Sequence, residues 1–264
     1  MPEGHTLHRL AREQTARFAG APVAVTSPQG RFAEQAALVD GRVLDVVTAH
    51  GKHLFAAFSD RVVHVHLGLF GKYAAGTGEP PAPRGALRMR WVADDAWTDL
   101  RGPTACEVLA PSEVEVIIAR LGPDPLARRP DGGAAYARIA RSRAPIAALL
   151  MDQAVVSGIG NVYRAELLFR HQVPPLLPGR DLGGSRWTAM WADLVTLMRA
   201  GLRTGRIVTT RPEDRDRISG RVRQLDAHYV YRRTGLPCRV CRTPIAMQLL
   251  VARKLYWCPQ CQAG

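Results

Sequence analysis

The chain has 264 residues, of which 47% are apolar and 22% charged, with 19 scattered prolines. That composition supports packed cores and argues against a disordered polypeptide. No run approaches the roughly 18 apolar residues of a membrane span, and the polar start Met1-Pro2-Glu3-Gly4-His5 lacks the apolar stretch of a secretory signal. The expected compartment is therefore the cytoplasm, with no membrane partner. Lys and Arg total 36 against 23 acids, a formal charge of +13. Such a surplus draws polyanions through a long-range, salt-screened field. The cations are almost all arginine, since the lysines are Lys52, Lys72 and Lys254 alone. A GC-rich coding sequence would give the same richness in Ala, Arg, Gly and Val.

Leu7, Leu10, Ala11 and Phe18 recur near a 3.6-residue period and Gly20 follows them, which predicts an amphipathic helix over residues 2–19. The next hundred residues change character. Short apolar or alternating runs at 43–47, 54–58, 62–67 and 87–92, punctuated by Gly and Pro, are strand patterns spaced as in a sandwich or barrel. After Pro111 the period returns to helical, with Val114, Ile117, Ile118 and Leu121 on one face before Gly122-Pro123. The polar stretch Arg128-Arg129-Pro130-Asp131-Gly132-Gly133 marks a boundary. Helical periodicity resumes from 134 to about 204, and residues 205–228, rich in arginine and poor in apolar side chains, read as a mobile or partner-ordered loop. The expected division is 1–118, a linker at 119–132, then 133–228 and 229–264.

Cys238-x2-Cys241-x16-Cys258-x2-Cys261 is zinc-ribbon spacing. Each Cys-x-x-Cys turn can aim two thiolates at one tetrahedral ion, and the segment is too small to fold on a core of its own. Four thiolates leave no open coordination position, so the expected zinc is structural. Cys106 reads as a small buried apolar residue. At the other end, proline in second position permits removal of the initiator Met, which would leave a secondary amine at the terminus. An α-amino group has a pKa of about 8 and is partly unprotonated near neutrality. Such an amine can form an iminium, and Glu3 beside it can carry a proton. The ordinary alternative is a helix start, with Pro at the first helical position and an acid in the first turn.

Several segments then coincide. Pro2-Glu3-Gly4, Gly51-Lys52-His53-Leu54, Leu121-Gly122-Pro123-Asp124-Pro125-Leu126, Leu149-Leu150-Met151-Asp152-Gln153, Gly158-Ile159-Gly160-Asn161-Val162-Tyr163-Arg164 and the terminal ribbon ending Trp257-Cys258-Pro259-Gln260-Cys261-Gln262 follow one another in order. Together they resemble the formamidopyrimidine-DNA glycosylase/endonuclease VIII family, and Pro2-Glu3-Gly4 with His5-Thr6-Leu7-His8 is closer to the endonuclease VIII branch in its actinobacterial form. The resemblance implies an α+β multidomain fold: an N-terminal helix plus β-sandwich, a helix–two-turns–helix domain and a C-terminal zinc-ribbon finger. It implies a monomeric bifunctional DNA glycosylase/AP lyase of base-excision repair, acting on double-stranded DNA with oxidised bases or abasic sites, with pyrimidines favoured. It implies Pro2 as nucleophile, Glu3 as acid/base and Lys52 as a phosphate contact that assists proton transfer. It implies Asn161 and Arg253 as phosphate ligands and one structural zinc on Cys238, Cys241, Cys258 and Cys261. Such a protein would be nucleoid-associated when on DNA.

A flipped nucleotide leaves a hole in the stack, which apolar side chains can fill. By position Leu69 and Phe70, between Gly68 and Gly71, resemble the branch's intercalating residues; their alternative is continuation of a core strand. The chain has Gly68 where the branch often carries a long polar residue, and Thr6 where some relatives carry a lesion-contacting glutamate. The rival function is a non-catalytic protein of the same fold that binds damaged or abasic DNA.

Overall fold

The computed structural model describes residues 2–218 and 220–263, so Met1, whose removal the chemistry above requires, lies outside the described residues. The chain divides into two compact units that meet between Arg120 and Leu121.

The first unit opens on α1 (Gly4–Phe18), which buries Leu7, Ala11 and Phe18 along one face and gives way to Gly20 at φ +84°. There follow β1 (Pro22–Thr26), the short α2 (Ala33–Ala36), β2 (Arg42–Val43), β3 (Val46–His50), β4 (His53–Phe58), β5 (Arg61–His66), β6 (Lys72–Thr77), β7 (Leu87–Ala93), β8 (Ala96–Arg101), β9 (Ala105–Leu109) and α3 (Pro111–Ala119). The strands form a five-stranded sheet, β2-β1-β7-β8-β6, and a four-stranded sheet, β3-β4-β5-β9. All the pairings are antiparallel. Val23, Val25, Met89, Trp91 and Leu100 from one sheet and Val47, Leu54, Ala56, Phe58, Val63 and Val65 from the other share one core with α1. Trp91 is its centre: Phe18 and Phe58 meet its ring edge-on at 5.8 Å from opposite elements. Edge-to-face geometry is the preferred aromatic arrangement.

Strands β1, β6, β8 and β9 had no counterpart among the runs expected from the sequence. In β8 the reason is a buried ion pair. Asp99, fully buried, accepts from Arg90 Nε at 2.6 Å and Arg90 Nη2 at 2.9 Å, and from Arg101 at 2.8 Å. A buried carboxylate is tolerable only when paired in this manner.

The second unit contains α4 (Gly133–Ile139), α5 (Ile146–Leu149), α6 (Asn161–Arg170), α7 (Gly184–Thr204) and the hairpin β10 (Ala246–Leu250) with β11 (Arg253–Trp257). Trp187, Met190, Trp191, Leu194 and Met198 of α7 close on Ile139, Leu150, Tyr163 and Leu167. Gly132 lets α4 start against them: a Cβ there would press on the Trp191 ring, and the Gly132 carbonyl accepts from Trp187 Nε1 at 2.9 Å. A second cluster joins Ala165 and Phe169 of α6 to Cys238, Ile245, Tyr256 and Cys258, so the hairpin is built onto α6.

Residues 205–228 hold 3-10 turns at Pro212–Asp214 and Gln224–Asp226, and polar bonds that an apolar pattern does not register tie the chain at Thr209 and just beyond the segment at residues 229–231. Glu166 of α6, fully buried, accepts from the backbone amides of Tyr229 (2.7 Å), Val230 (2.8 Å) and Tyr231 (2.8 Å) and from the Thr209 hydroxyl. Asp226 holds Arg223 at 2.9 Å and Arg239 at 3.1 Å. Among the described residues no helix is long and apolar enough to cross a membrane.

Candidate active site and nucleic-acid interface

Pro2 does not start the helix. The first helical residue is Gly4, and Glu3 occupies the N-cap with extended backbone (φ −118°, ψ 174°) and no side-chain capping bond. Pro2 therefore precedes the cap and is half-buried, while Glu3 is wholly buried. An ordinary helix start would leave the proline inside the first turn and the acid at the surface. His5, one turn into α1, is also buried; burial first, then Arg9 and His8, holds its pKa down to about 4, so it is neutral at physiological pH.

Lys52 lies in the two-residue turn joining β3 and β4. Gly51 takes φ +57° there, a conformation that favours glycine in tight hairpins. The turn is braced from β5, where His66 Nδ1 donates to the Lys52 carbonyl at 3.1 Å. After β5 the chain leaves the sheet: Leu67 is buried, but Leu69 is 47% and Phe70 85% exposed, in a turn closed by Gly71 N–H on Leu67 O at 2.9 Å. These two residues do not continue the core strand. Gly68 is fixed by its surroundings as well, since it takes φ +64° and a Cβ would collide with the Thr104 hydroxyl.

In the second unit the turn before α6 is braced by Gln153. Its carboxamide accepts from Gly158 N–H and donates to Met151 O and Ile159 O, each at 3.0 Å. Asn161 opens the helix, and its Nδ2 donates to the Lys254 carbonyl at 2.9 Å. Arg164, one turn later and 1% exposed, donates to Asn161 Oδ1 and to the same carbonyl. Asn161 is thereby brought beside Arg253, which follows the hairpin tip at Val251 and Ala252. Arg164 and Arg253 both line a cavity of about 440 Å³ together with Asp152, Met151 and Leu250. Asn161 and Arg253 were expected site residues and Arg164 was not; its spacing of three from Asn161 on one helix was the available signal.

The four cysteine sulfurs lie within 4.8 Å of one another, with Cys238–Cys261 at 3.9 Å and Cys241–Cys258 at 3.3 Å. A tetrahedron with Zn–S bonds of about 2.3 Å has edges of about 3.8 Å. The set fits one structural zinc. Cys106 stands apart, partly buried, with its thiol pushed up to about 12 by burial, against the pull of Arg88 and aided by Glu107, and is inert as a nucleophile. Charge divides along the same line as the fold. Through Arg120 the chain carries 13 basic and 13 acidic residues, and from Leu121 on it carries 23 basic and 10 acidic ones. The entire surplus belongs to the unit with the zinc hairpin.

Comparison with known proteins accounts for this arrangement. Residues 1–106 match the formamidopyrimidine-DNA glycosylase N-terminal domain, 121–212 the formamidopyrimidine-DNA glycosylase H2TH domain, and 235–264 the zinc finger found in FPG and IleRS. The protein called Endonuclease 8 1 of Mycobacterium tuberculosis is 52% identical over 99% of this chain and 100% of its own length. The chain belongs to the formamidopyrimidine-DNA glycosylase/endonuclease VIII family. This is a family of DNA-repair glycosylases with a zinc finger, and a formamidopyrimidine-DNA glycosylase of Acidothermus cellulolyticus is also similar, 31% identical over 99% of this chain and 96% of its own. Among solved structures, Lactococcus lactis Fpg in complex with abasic-site DNA superposes with a TM-score of 0.82 at 19% identity, covering 99% of this chain and 100% of that one. A MutM complex with carbocyclic 8-oxo-G DNA gives 0.82 at 20% identity over the full length of both. These two show the fold: helix and sandwich, H2TH domain and zinc finger, as the family resemblance implied.

Proposed function

We propose that the protein is a bifunctional DNA glycosylase/AP lyase that removes oxidised bases, pyrimidines foremost, from double-stranded DNA. The observation that carries this reading is the placement of Glu3, wholly buried directly after Pro2 at the cap of α1. A buried carboxyl group next to the amine is placed where a proton carrier is needed, and burial is the usual means of tuning such a group. With Met1 removed, the Pro2 secondary amine attacks C1′ of the damaged nucleoside. The bond from C1′ to the base breaks, the base leaves with the bonding electrons and takes a proton, and Glu3 protonates the ring oxygen as the sugar opens. The resulting iminium is an electron sink. It acidifies the C2′ hydrogen, so that loss of that proton expels the 3′ phosphate, and a second elimination expels the 5′ phosphate.

Lys52 would contact the phosphate beside the lesion and assist these proton transfers. Asn161 and Arg253 would hold flanking phosphates, and Leu69 and Phe70, exposed between glycines, would fill the gap left by the extruded base. The zinc on Cys238, Cys241, Cys258 and Cys261 supplies folding energy to the hairpin that carries Arg253. The protein would act as a monomer in the cytoplasm, on the nucleoid. The test is borohydride reduction in the presence of duplex DNA carrying 5-hydroxyuracil or an abasic site. A covalent adduct is expected with the mature chain and none with Pro2→Gly, whereas Glu3→Gln should lose base excision and keep abasic-site binding. A mature chain shown by mass spectrometry to have lost Met1, yet giving no adduct with either substrate, refutes the lyase assignment.

A further inference from the structure

One sheet of the sandwich carries a chain of polar rings that nothing above uses. On the β4-β5-β9 face, residues directly opposite one another are His53 with His66, Phe55 with His64, and His64 with Glu107. His64 is buried at 4% exposure, and its Nδ1 lies 2.8 Å from Glu107 Oε1. His64 Nε2 lies 2.8 Å from His53 Nδ1. The His53 ring stacks on His66 at 4.8 Å and on His64 at 5.1 Å, and His64 stacks on Phe55 at 5.1 Å. His66 in turn donates to the carbonyl of Lys52.

The direction of this chain follows from its end. Glu107 accepts from His64 Nδ1, and with His64 carrying that single proton its Nε2 accepts. His53 Nδ1 then donates to it, and each tautomer fixes the next. Burial, with smaller contributions from His66, His64, His50 and Lys52, holds His53 down to about 3, and burial lowers His66 as well. His53 therefore stays neutral through the physiological range, and the shift of His66 is in the same direction. His53 is bonded in sequence to Lys52, and His66 holds Lys52 from the neighbouring strand. The two-residue turn is therefore gripped on one side by His53, oriented from Glu107 through His64, and on the other by His66, which stacks on His53.

We propose that His53, His64 and Glu107 are positioning residues for Lys52: a hydrogen-bonded relay across three strands that fixes the turn presenting this lysine to the DNA. The inference rests on the role given to Lys52 above. Side chains held by a second set of bonds keep reactive groups within a fraction of an ångström of productive geometry, and a displacement of about 1 Å can cost two orders of magnitude in rate.

The experiment is single-turnover strand cleavage of a duplex with a preformed abasic site, alongside the equilibrium affinity for a tetrahydrofuran-containing duplex. His64→Phe keeps the ring stack and removes both bonds, and Glu107→Ala changes a side chain that is 43% exposed and so spares folding. Both should slow cleavage about tenfold with affinity within about twofold of the parent. Glu107→Gln should restore the rate, because its amide oxygen still accepts from His64 Nδ1. In a Lys52→Ala background, His64→Phe should add less than about twofold. The lysines being three, ¹⁵N spectra of their ammonium groups give a direct readout without DNA: Lys52 should shift in His64→Phe and Glu107→Ala while Lys72 and Lys254 stay. A parental rate and unshifted Lys52 in both variants, or an undiminished tenfold loss on top of Lys52→Ala, overturns the relay. A parental rate in Lys52→Ala alone overturns the role of Lys52 and the relay with it.

Discussion

Glu166 is the side chain that ties the chain on both sides of the arginine-rich stretch, at Thr209 and at residues 229–231, and Glu166→Gln tests those ties with almost no change in volume. The carboxylate serves four donors. Oε1 takes the amides of Val230 and Tyr231, and Oε2 takes the amide of Tyr229 and the Thr209 hydroxyl. A carboxamide offers one oxygen, so two of these donors would confront an NH2 group. The Thr209 hydroxyl has another acceptor, the Ala227 carbonyl at 3.1 Å, but the remaining amide has no alternative of that kind in a fully buried site. One orphaned buried donor costs about 1–3 kcal/mol, and the bonds that survive lose their charge assistance. A local loss of about 3 kcal/mol corresponds to roughly a hundredfold faster opening. Because the chain has two units, a global melt is not the right measurement. The assay is amide hydrogen exchange, read at residues 229–231 and compared with the Trp91 core, which should not change. Exchange at 229–231 within about threefold of the parent would refute the account of how this segment is held.

Three further outcomes follow from the same structure. Arg253→Ala should weaken DNA binding and reduce the slope of log K against log salt by about one, the value for one lost phosphate contact; titration at several salt concentrations measures it, and an unchanged slope removes Arg253 from the interface. The purified protein should hold one zinc per chain by elemental analysis, and a chelator that extracts it should abolish DNA binding while the near-ultraviolet signal of the sandwich core around Trp91 persists. Burial opposes ionisation of Asp193, but bonds from His171 and Arg170 outweigh it and hold its carboxyl at about 2. A folded pKa below the unfolded value of about 3.9 gives stability that is complete above that value and lost as pH falls through the folded one. Acid unfolding of the second unit should therefore shift to higher pH in Asp193→Asn, followed by circular dichroism between about pH 5 and 2.

How much of this was legible beforehand follows the physics of each element. Periodicity found α1, because Leu7, Ala11 and Phe18 face a core directly. It found the inner strands β4, β5 and β7 for the same reason. It passed over β8, whose burial is carried by Asp99 and its arginines, and β6, whose alternation is faint because its residues are mostly exposed. The zinc site was legible outright, since ligand spacing is a local property. Asn161 at a Gly-rich turn and Arg253 at a hairpin tip were weak signals alone and took their roles from the family resemblance, and Arg164, which bonds Asn161 and the Lys254 carbonyl, was not singled out. Its partner is a main-chain carbonyl 90 residues away, and no composition rule registers a backbone acceptor. The same holds for Glu166: a glutamate inside a helix looks solvated until its three amide partners are in place.

The split of charge between the two units has a kinetic consequence. Long-range attraction to a polyanion follows net charge and is screened by salt, so it belongs to the half that carries the excess cations. The electrically balanced half adds short-range contacts, such as the one proposed for Lys52, but little to that field. On the proposed function, lowering the net charge of the second unit at positions away from Arg253 should slow encounter with duplex more than it slows the cut.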